Sequence, residues 1–284
     1  MPIDLHLHST HSDGTLTPAG LIQAIRGAGL TAAALTDHNT VSGVPAFLEE
    51  AHGAGLTAVA GVELSTVCNG QELHLLGLFI PPEHLSDITA LTEDYLTRKE
   101  QSNRDLVARL NTDGYKVDYD AVRASTPDGN VNRALIAKAL LAGGCVPSVK
   151  AAFDTLLGEG MGYYTPPTRP DFFDTVRFLR SIHTLPVWAH PLQYTDEATV
   201  RAILPRAAEA GLAGMEVMHS SYREDTVRTA KALADAFGLL YSGGSDFHGA
   251  VKPDVCLGVG SRAGISPNIP DGYYEALRGR AESL

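Results

Sequence analysis

Short apolar runs alternate with amphipathic helical segments along most of the chain. Residues 3–8 alternate strictly, with apolar side chains on one face and Asp4, His6 and His8 on the other, which is the period of a β-strand. Thr17-Pro18 precedes apolar positions that are spaced as in a helix, and this pair is typical of a helix start. The same criteria predict strands at 32–36, 57–62, 72–80, 186–190, 213–218 and 239–242, and helices at 44–54, 197–210 and 226–237.

Strands that alternate with helices predict an α/β fold with a largely parallel sheet or barrel. The middle of the chain breaks this rhythm, because helical patterns follow one another at 98–111, 132–141 and 148–157. We therefore predict a discontinuous body, residues 1–95 and 165–284, with a small, mainly helical inserted lobe at 96–164. Within the body, Thr195 is the expected cap of the helix at 197–210.

Composition narrows the classes of partner. The 284-residue chain has a formal net charge of -11 and no basic stripe, which argues against long nucleic acid but leaves small phosphorylated substrates open. Three widely spaced cysteines argue against a disulfide framework and fit a reducing, cytoplasmic setting. No apolar run approaches the roughly 18 residues of a membrane span, no signal-peptide pattern is present, and no obligate protein partner is evident.

Histidines and carboxylates stand where the predicted strands end. In parallel α/β folds these ends gather at one rim, and seven such positions lie at or just after them, with Glu63 expected at the end of the third strand. Imidazole with carboxylate ligation suits Zn, Mn or Fe. Nine candidate ligands exceed what one ion needs, so we predict two or three divalent ions. The nine are His6, His8, Asp13, His38, Glu63, His74, His190, Asp246 and His248.

These motifs resemble those of the PHP (polymerase and histidinol phosphatase) superfamily, in its stand-alone phosphoesterase branch with a helical insert. The motifs are His6-x-His8 with Asp13, Thr36-Asp37-His38, Gly61-Val62-Glu63, Ala189-His190-Pro191 and Ser245-Asp246-x-His248. The resemblance implies a distorted (β/α)7 barrel. It also implies one ion on His6, His8, Glu63 and Asp246, a second that shares Glu63 and adds His74 and His190, and a third on Asp13, His38 and His248.

The substrate side departs from that family. Nucleotidase-like relatives carry Arg-x-His in the insert helix, where this chain has Arg133-Ala134-Leu135, and His-Pro-Gly-Arg-Tyr, where it has His190-Pro191-Leu192-Gln193-Tyr194. A nucleotide, a sugar phosphate or a cyclic phosphodiester therefore stays open as the substrate. The candidate substrate contacts are Arg104, Asn132 and Arg133 of the insert together with Tyr194 and His219 of the body.

The expected reaction is hydrolysis of a small phosphate ester by metal-activated hydroxide. Glu63 is the natural bridge between ions, and His190 or His248 could protonate the leaving group. Asp37 is expected to hold His38 or a neighbouring ligand in its tautomer. Two alternatives remain: a 5′-3′ exonuclease on short oligonucleotides, and a non-catalytic, metal-stabilised PHP module.

Overall fold

The computed structural model describes residues 2–126, 131–258, 260–261 and 269–284. The chain divides into two compact units, one formed by Met1–Thr89 with Pro170–Leu284 and the other by Ala90–Arg169. The helices that belong to the description are α1 (Pro18–Gly27), α2 (Val44–Ala54), α3 (Leu85–Thr112), α4 (Tyr119–Ala124), α5 (Arg133–Ala142), α6 (Val149–Ala152), α7 (Phe172–Ser181), α8 (Pro191–Tyr194), α9 (Glu197–Ala210), α10 (Glu224–Ala236) and α11 (Asp271–Ala281). Short 3-10 turns at Pro82–His84 and Gly249–Val251 and a π-helical turn at Phe153–Leu157 complete the helical elements.

The first unit is a nearly closed seven-stranded barrel. Its strands are β1 (Ile3–Leu7), β2 (Ala32–Leu35), β3 (Thr57–Cys68), β4 (Gln71–Leu78), β5 (Leu185–Trp188), β6 (Gly214–His219) and β7 (Leu240–Gly244), and they neighbour one another in chain order. Beyond β7, the Asp246 amide donates to the His6 carbonyl at 3.0 Å and the His8 amide donates to the Phe247 carbonyl at 3.0 Å. These bonds bring the last strand back to the first. A separate short ladder joins β8 (Val255–Cys256) to β9 (Gly260–Ser261).

The sheet is mixed. β4 runs antiparallel to both β3 and β5, whereas the other four neighbouring pairs are parallel. The cause is the tight turn at Asn69-Gly70, where both residues have positive φ (50° and 80°), as the common two-residue hairpin turn requires. Because the hairpin extends β3 to Cys68, the expectation that Glu63 ends the third strand is wrong. Glu63 nevertheless lies beyond the end of β2, whose last paired residue, Leu35, is opposite Ala60.

Helix starts follow the expected chemistry with one correction. The Thr17 side chain accepts from the Gly20 amide at 3.2 Å and caps α1. At α9 the cap is Asp196, which accepts from the Thr199 amide at 2.9 Å, and not Thr195. The Thr195 hydroxyl instead accepts from the Gln71 side-chain amide at 2.8 Å, so it is held by the β4 end of the barrel.

Both faces of β1 are buried, one apolar and one polar. Its apolar residues are at most 1% exposed, and Asp4 and His6 on the opposite face, with His8 directly after the strand, are fully buried as well. A strand with one apolar and one polar face, both buried, separates a hydrophobic layer from a polar interior. The second unit has its own apolar core, in which Leu106, Ile136 and Leu157 are fully buried. Among the helices of the described residues, none combines the length and apolar character that spanning a bilayer requires.

Candidate metal centre

Glu63 is the hub of the polar interior. Its Oε2 lies 3.1 Å from His6 Nε2, 3.2 Å from His8 Nε2 and 3.1 Å from His38 Nδ1. Its Oε1 lies 2.7 Å from His74 Nδ1 and 3.0 Å from His190 Nε2. A carboxylate whose two oxygens face different groups of imidazoles has the arrangement that a bridging ligand needs.

β4 brings His74 to this hub because of the hairpin. Register places His74 opposite Ser65, two residues from Glu63 on the same face of β3. A diagonal contact across an antiparallel pair is short enough for two side chains to meet. The antiparallel return of β4 therefore explains how a histidine in the middle of a strand reaches a cluster otherwise built at strand ends.

Asp13 and Asp246 complete the cluster on the far side of β1. Asp13 Oδ1 lies 3.1 Å from His248 Nε2 and 3.7 Å from His8 Nδ1. Asp246 Oδ1 lies 3.2 Å from His8 Nε2 and 3.7 Å from His6 Nε2. His8 thus stands between two carboxylates that come from opposite ends of the chain.

The donor atoms form three overlapping groups in which all ligand atoms lie within 4.8 Å of one another. The groups are His6, His8, Glu63 and Asp246; His8, Asp13, His38 and His248; and His38, Glu63 and His74. The first has the composition that the resemblance implies for one ion. In the third, His38 stands with Glu63 and His74, while His190 keeps its own contact with Glu63. Which side chains hold which ion stays a prediction.

Several of the nitrogen and oxygen atoms that could bind a metal have no hydrogen-bond partner although they are buried. They include His6 Nε2, His8 Nε2, His38 Nδ1 and Glu63 Oε2. Leaving one buried polar atom unsatisfied costs about 1–3 kcal/mol, so four such atoms converging on one place call for a ligand. Imidazole nitrogens and carboxylate oxygens are ligands for Zn, Mn and Fe, and these residues therefore fit divalent ions.

Burial and neighbouring charges shift the pKa values of the cluster in opposite directions. Burial alone would raise the pKa of the Glu63 carboxyl, but the surrounding imidazoles hold it well below its ordinary range. Burial alone would lower the pKa of His8 and His74, yet the neighbouring carboxylates raise them to about 9 and about 10. For His38 burial prevails and lowers the pKa to about 3. Protons and metal ions therefore compete for the same nitrogens.

Glu216 contacts two of the predicted ligands, His6 and His190, and sequence reasoning missed it. The carboxylate, fully buried on β6, lies 3.1 Å from His6 Nδ1 through Oε1 and accepts from the His190 amide at 2.7 Å through Oε2. The first contact puts the proton of His6 on Nδ1 and leaves Nε2 free to bind a metal. The second supports His190, whose φ of 29° is a strained value for a residue before proline. A single glutamate among apolar neighbours in a predicted strand was the available signal.

Asp37 holds the loop that carries Asp13. Its carboxylate accepts from the Ser9 amide at 2.7 Å, the Ser9 hydroxyl at 2.6 Å and the Ser12 hydroxyl at 2.6 Å. Asp37 thus fixes the geometry of this loop, and its expected role in orienting a histidine ring stays a prediction.

Two predicted substrate contacts of the barrel lie at the cluster. The Tyr194 side chain is largely exposed, and its ring stands edge-on to the His190 ring with centroids 6.1 Å apart. His219 is buried, with Nε2 3.5 Å from Asp246 Oδ2. Its Nδ1 accepts from the Ser221 amide at 3.2 Å, so the proton of a neutral His219 ring is on Nε2.

The three predicted contacts of the insert have partners inside their own unit. Arg104 pairs with Glu100 at 2.9 Å and with Asp120 at 3.3 Å. Asn132 caps α5 by accepting from the Leu135 amide at 2.9 Å. The Arg133 guanidinium donates to the Leu157 carbonyl at 3.1 Å and lies 4.1 Å from the centre of the Tyr164 ring. Their contact with substrate stays a prediction.

Comparison with known proteins adds a family and several relatives. A family model for the PHP domain matches residues 4–157. A 5′-3′ exoribonuclease of Haemophilus influenzae is 31% identical over 86% of this chain and 89% of its own length. A 3′,5′-nucleoside bisphosphate phosphatase of Chromobacterium violaceum is 31% identical over 87% of each chain. A phosphoribosyl 1,2-cyclic phosphate 1,2-diphosphodiesterase of Eggerthella lenta is 32% identical over 87% of this chain and 94% of its own.

A solved structure covers nearly the whole fold. It belongs to a Bifidobacterium adolescentis protein assigned as a metal-dependent phosphoesterase, which is 26% identical and superposes with a TM-score of 0.85. The match covers 99% of this chain and 98% of the other. The similarity therefore extends over both compact units of the chain.

Proposed function

The chain belongs to the PHP domain family of metal-dependent phosphoesterases, and from its buried, unsatisfied ligand atoms we propose that it hydrolyses small phosphate esters at a centre of two or three divalent ions. The substrate we propose is a nucleotide or sugar phosphate, or a cyclic phosphodiester. The single observation that carries the proposal is the convergence of five imidazole nitrogens on the two oxygens of Glu63, three of which, those of His6, His8 and His38, are buried without a hydrogen-bond partner.

The ions would be Mn, Zn or Fe, held by the nine predicted ligands with Glu63 shared between two of them. When bound, such ions neutralise phosphoryl oxygens and lower the pKa of water from about 16 towards about 7. Glu216 keeps His6 Nε2 available as a ligand by holding the ring proton on Nδ1. Ser9 and Ser12, through Asp37, hold Asp13 at the rim.

His219 supplies a hydrogen-bond donor at the same place. Its Nε2–H points towards the cluster and has no hydrogen-bond partner of its own. His248 differs, because its Nδ1 donates to the Asp246 carbonyl at 2.9 Å and leaves Nε2 without a proton, as a ligand needs. We therefore propose that His219 donates a hydrogen bond to a substrate oxygen and that His248 binds a metal ion. His190, which contacts Glu63, stays a proposed metal ligand.

The test combines elemental analysis with a phosphate-release screen on manganese-loaded protein. We expect two or three ions per chain and turnover of at least one phosphate monoester or cyclic diester. His8→Ala should lose metal and activity together, because His8 belongs to two of the three ligand groups. One ion or fewer per chain, or no hydrolysis of any ester by fully loaded protein, would contradict the proposal.

A 5′-3′ exonuclease activity on short oligonucleotides is the second candidate. It is supported by the similarity to the Haemophilus influenzae exoribonuclease and limited by a net charge of -11, which disfavours long polyanions. A small phosphate monoester such as a mononucleotide, compared with a 5′-phosphorylated trinucleotide, separates the two: if the trinucleotide is degraded with the higher kcat/KM, the small-ester proposal is wrong. Leu135 and Gln193, which replace basic or imidazole residues of nucleotidase-like relatives, also favour a substrate other than a standard nucleotide.

A further inference from the structure

One lysine stands at the cluster without belonging to it. Lys252 Nζ lies 2.5 Å from Asp246 Oδ2, while Asp246 Oδ1 faces the imidazoles of His8 and His6. The two oxygens of one carboxylate are thus divided between the ligand cluster and the ammonium group. Within the part of the chain that the structure describes, no other lysine or arginine forms an ion pair with Asp13, Glu63 or Asp246.

The backbone around Lys252 is built to hold it there. Gly249 has a φ of 66°, and a Cβ at this position would meet Thr15 Oγ1 at 2.1 Å, so the turn lies directly against the loop that carries Asp13. The Thr15 amide donates to the His248 carbonyl at 3.1 Å, and the Ala250 amide donates to Thr15 Oγ1 at 2.9 Å. These contacts fix the short turn between the ligand His248 and Lys252.

The ammonium group has donors to spare and access to solvent. A lysine carries three N–H donors, and the contact with Asp246 uses one of them. The side chain is 36% exposed, so a bound molecule can reach it from solvent. A lysine ammonium group is positively charged at neutral pH, so Lys252 places a positive charge next to the predicted ligands.

We propose that Lys252 binds the reacting phosphoryl group and makes the centre prefer a terminal phosphate monoester over a phosphodiester. The inference rests on the proposed function. A monoester phosphate carries close to two negative charges at neutral pH, because its second pKa is about 6, whereas a diester carries one. A point charge beside the phosphoryl site attracts the doubly charged group more strongly than the singly charged one.

The experiment uses two substrates with the same leaving group, 4-nitrophenyl phosphate and bis(4-nitrophenyl) phosphate, on the metal-loaded full chain. Lys252→Met should lower kcat/KM for the monoester at least tenfold, about 1.4 kcal/mol, and lower it for the diester less than threefold. Lys252→Arg should keep most of the monoester preference, because the charge stays. Lys231→Met, on α10 over the Tyr241 ring, is the matched control and should change neither value.

A binding measurement separates Lys252 from the chemistry. Calorimetric titration of the loaded protein with methyl phosphate and with dimethyl phosphate should show a loss of affinity in Lys252→Met that is confined to methyl phosphate. Elemental analysis of the same sample should show the wild-type number of ions. A fall in metal content would mean that Lys252 acts only by holding Asp246, and equal changes for both esters would remove the charge discrimination. Absence of turnover in the wild type with intact methyl phosphate binding would instead count against the proposed function.

Discussion

Replacing Glu216 by glutamine should weaken the binding of one metal ion without changing any predicted ligand. The glutamate accepts two hydrogen bonds, one from His6 Nδ1 and one from the His190 amide. Glutamine has the same shape, but only one of its two terminal atoms accepts. If the carbonyl keeps the His190 amide, the NH2 group faces His6 Nδ1 and forces that nitrogen to become an acceptor. The His6 proton then moves to Nε2, the atom that faces Glu63, and this nitrogen no longer binds a metal.

The size of the effect follows from the contact that is lost. A hydrogen bond to a charged group is worth about 1.5–3 kcal/mol, which corresponds to roughly 10- to 150-fold in affinity. Loss of a carboxylate that orients a metal-bound histidine typically costs 10- to 100-fold, in the same range. Folding should suffer as well, because the strained His190 backbone loses a partner if the amide group turns the other way; such strain is worth about 1–3 kcal/mol.

The assay is a manganese titration of chelator-treated protein, in which calorimetry measures binding of the ions and phosphate release measures activity. Glu216→Gln should show one ion bound at least tenfold more weakly and should recover activity at high manganese. Glu209→Gln, an exposed glutamate near the end of α9, removes the same charge and should behave as wild type. An affinity within threefold of wild type for every ion would refute the tautomer argument. Lost activity with unchanged metal binding would show that Glu216 acts on the reaction by another route.

Three further outcomes are expected. Glu63→Gln should lower turnover by far more than tenfold, over about 1.4 kcal/mol of barrier, and reduce metal content, because both oxygens contact ligand groups; activity within tenfold by phosphate release would show that Glu63 does not bridge. The metal-free protein should lose thermal stability as pH rises from about 6.5 through about 9 and 10, because the raised pKa values of His8 and His74 stabilise the fold only while both rings are protonated. Differential scanning calorimetry measures this loss, and the metal-loaded protein should not show it. Arg133→Ala should raise KM roughly tenfold for a bisphosphate and leave 4-nitrophenyl phosphate unchanged; equal losses would assign Arg133 to the fold or to the reacting group.

Local sequence determined much of the framework. Strict alternation over residues 3–8 predicts that His6 and His8 share one face of a strand; His6 lies on the polar face of β1 and His8 follows directly after its last residue, where it is equally buried. Helix α2 has the predicted bounds, and Thr17 caps α1. These features depend on side-chain period and on contacts within a few residues, and both can be read along the chain. Membership of the PHP family follows from the same spacing of short motifs.

Tertiary structure decided what contacts the ligands. The Asn69-Gly70 turn reverses the direction of the chain into β4, makes the sheet mixed and puts Glu63 inside a long strand. The Asn-Gly dipeptide itself favours a two-residue hairpin turn and could have been recognised in the sequence. Glu216 could not be assigned from the sequence, because it acts through a partner that only the barrel brings near it. For Lys252 the sequence places Asp246 six positions away but does not show that the two side chains meet. Glu216 meets His6 from 210 positions away, and Lys252 acquires its significance from which oxygen of Asp246 it contacts. Sequence spacing predicts which residues can ligate, whereas the fold determines how each ligand is oriented and which charge stands beside it.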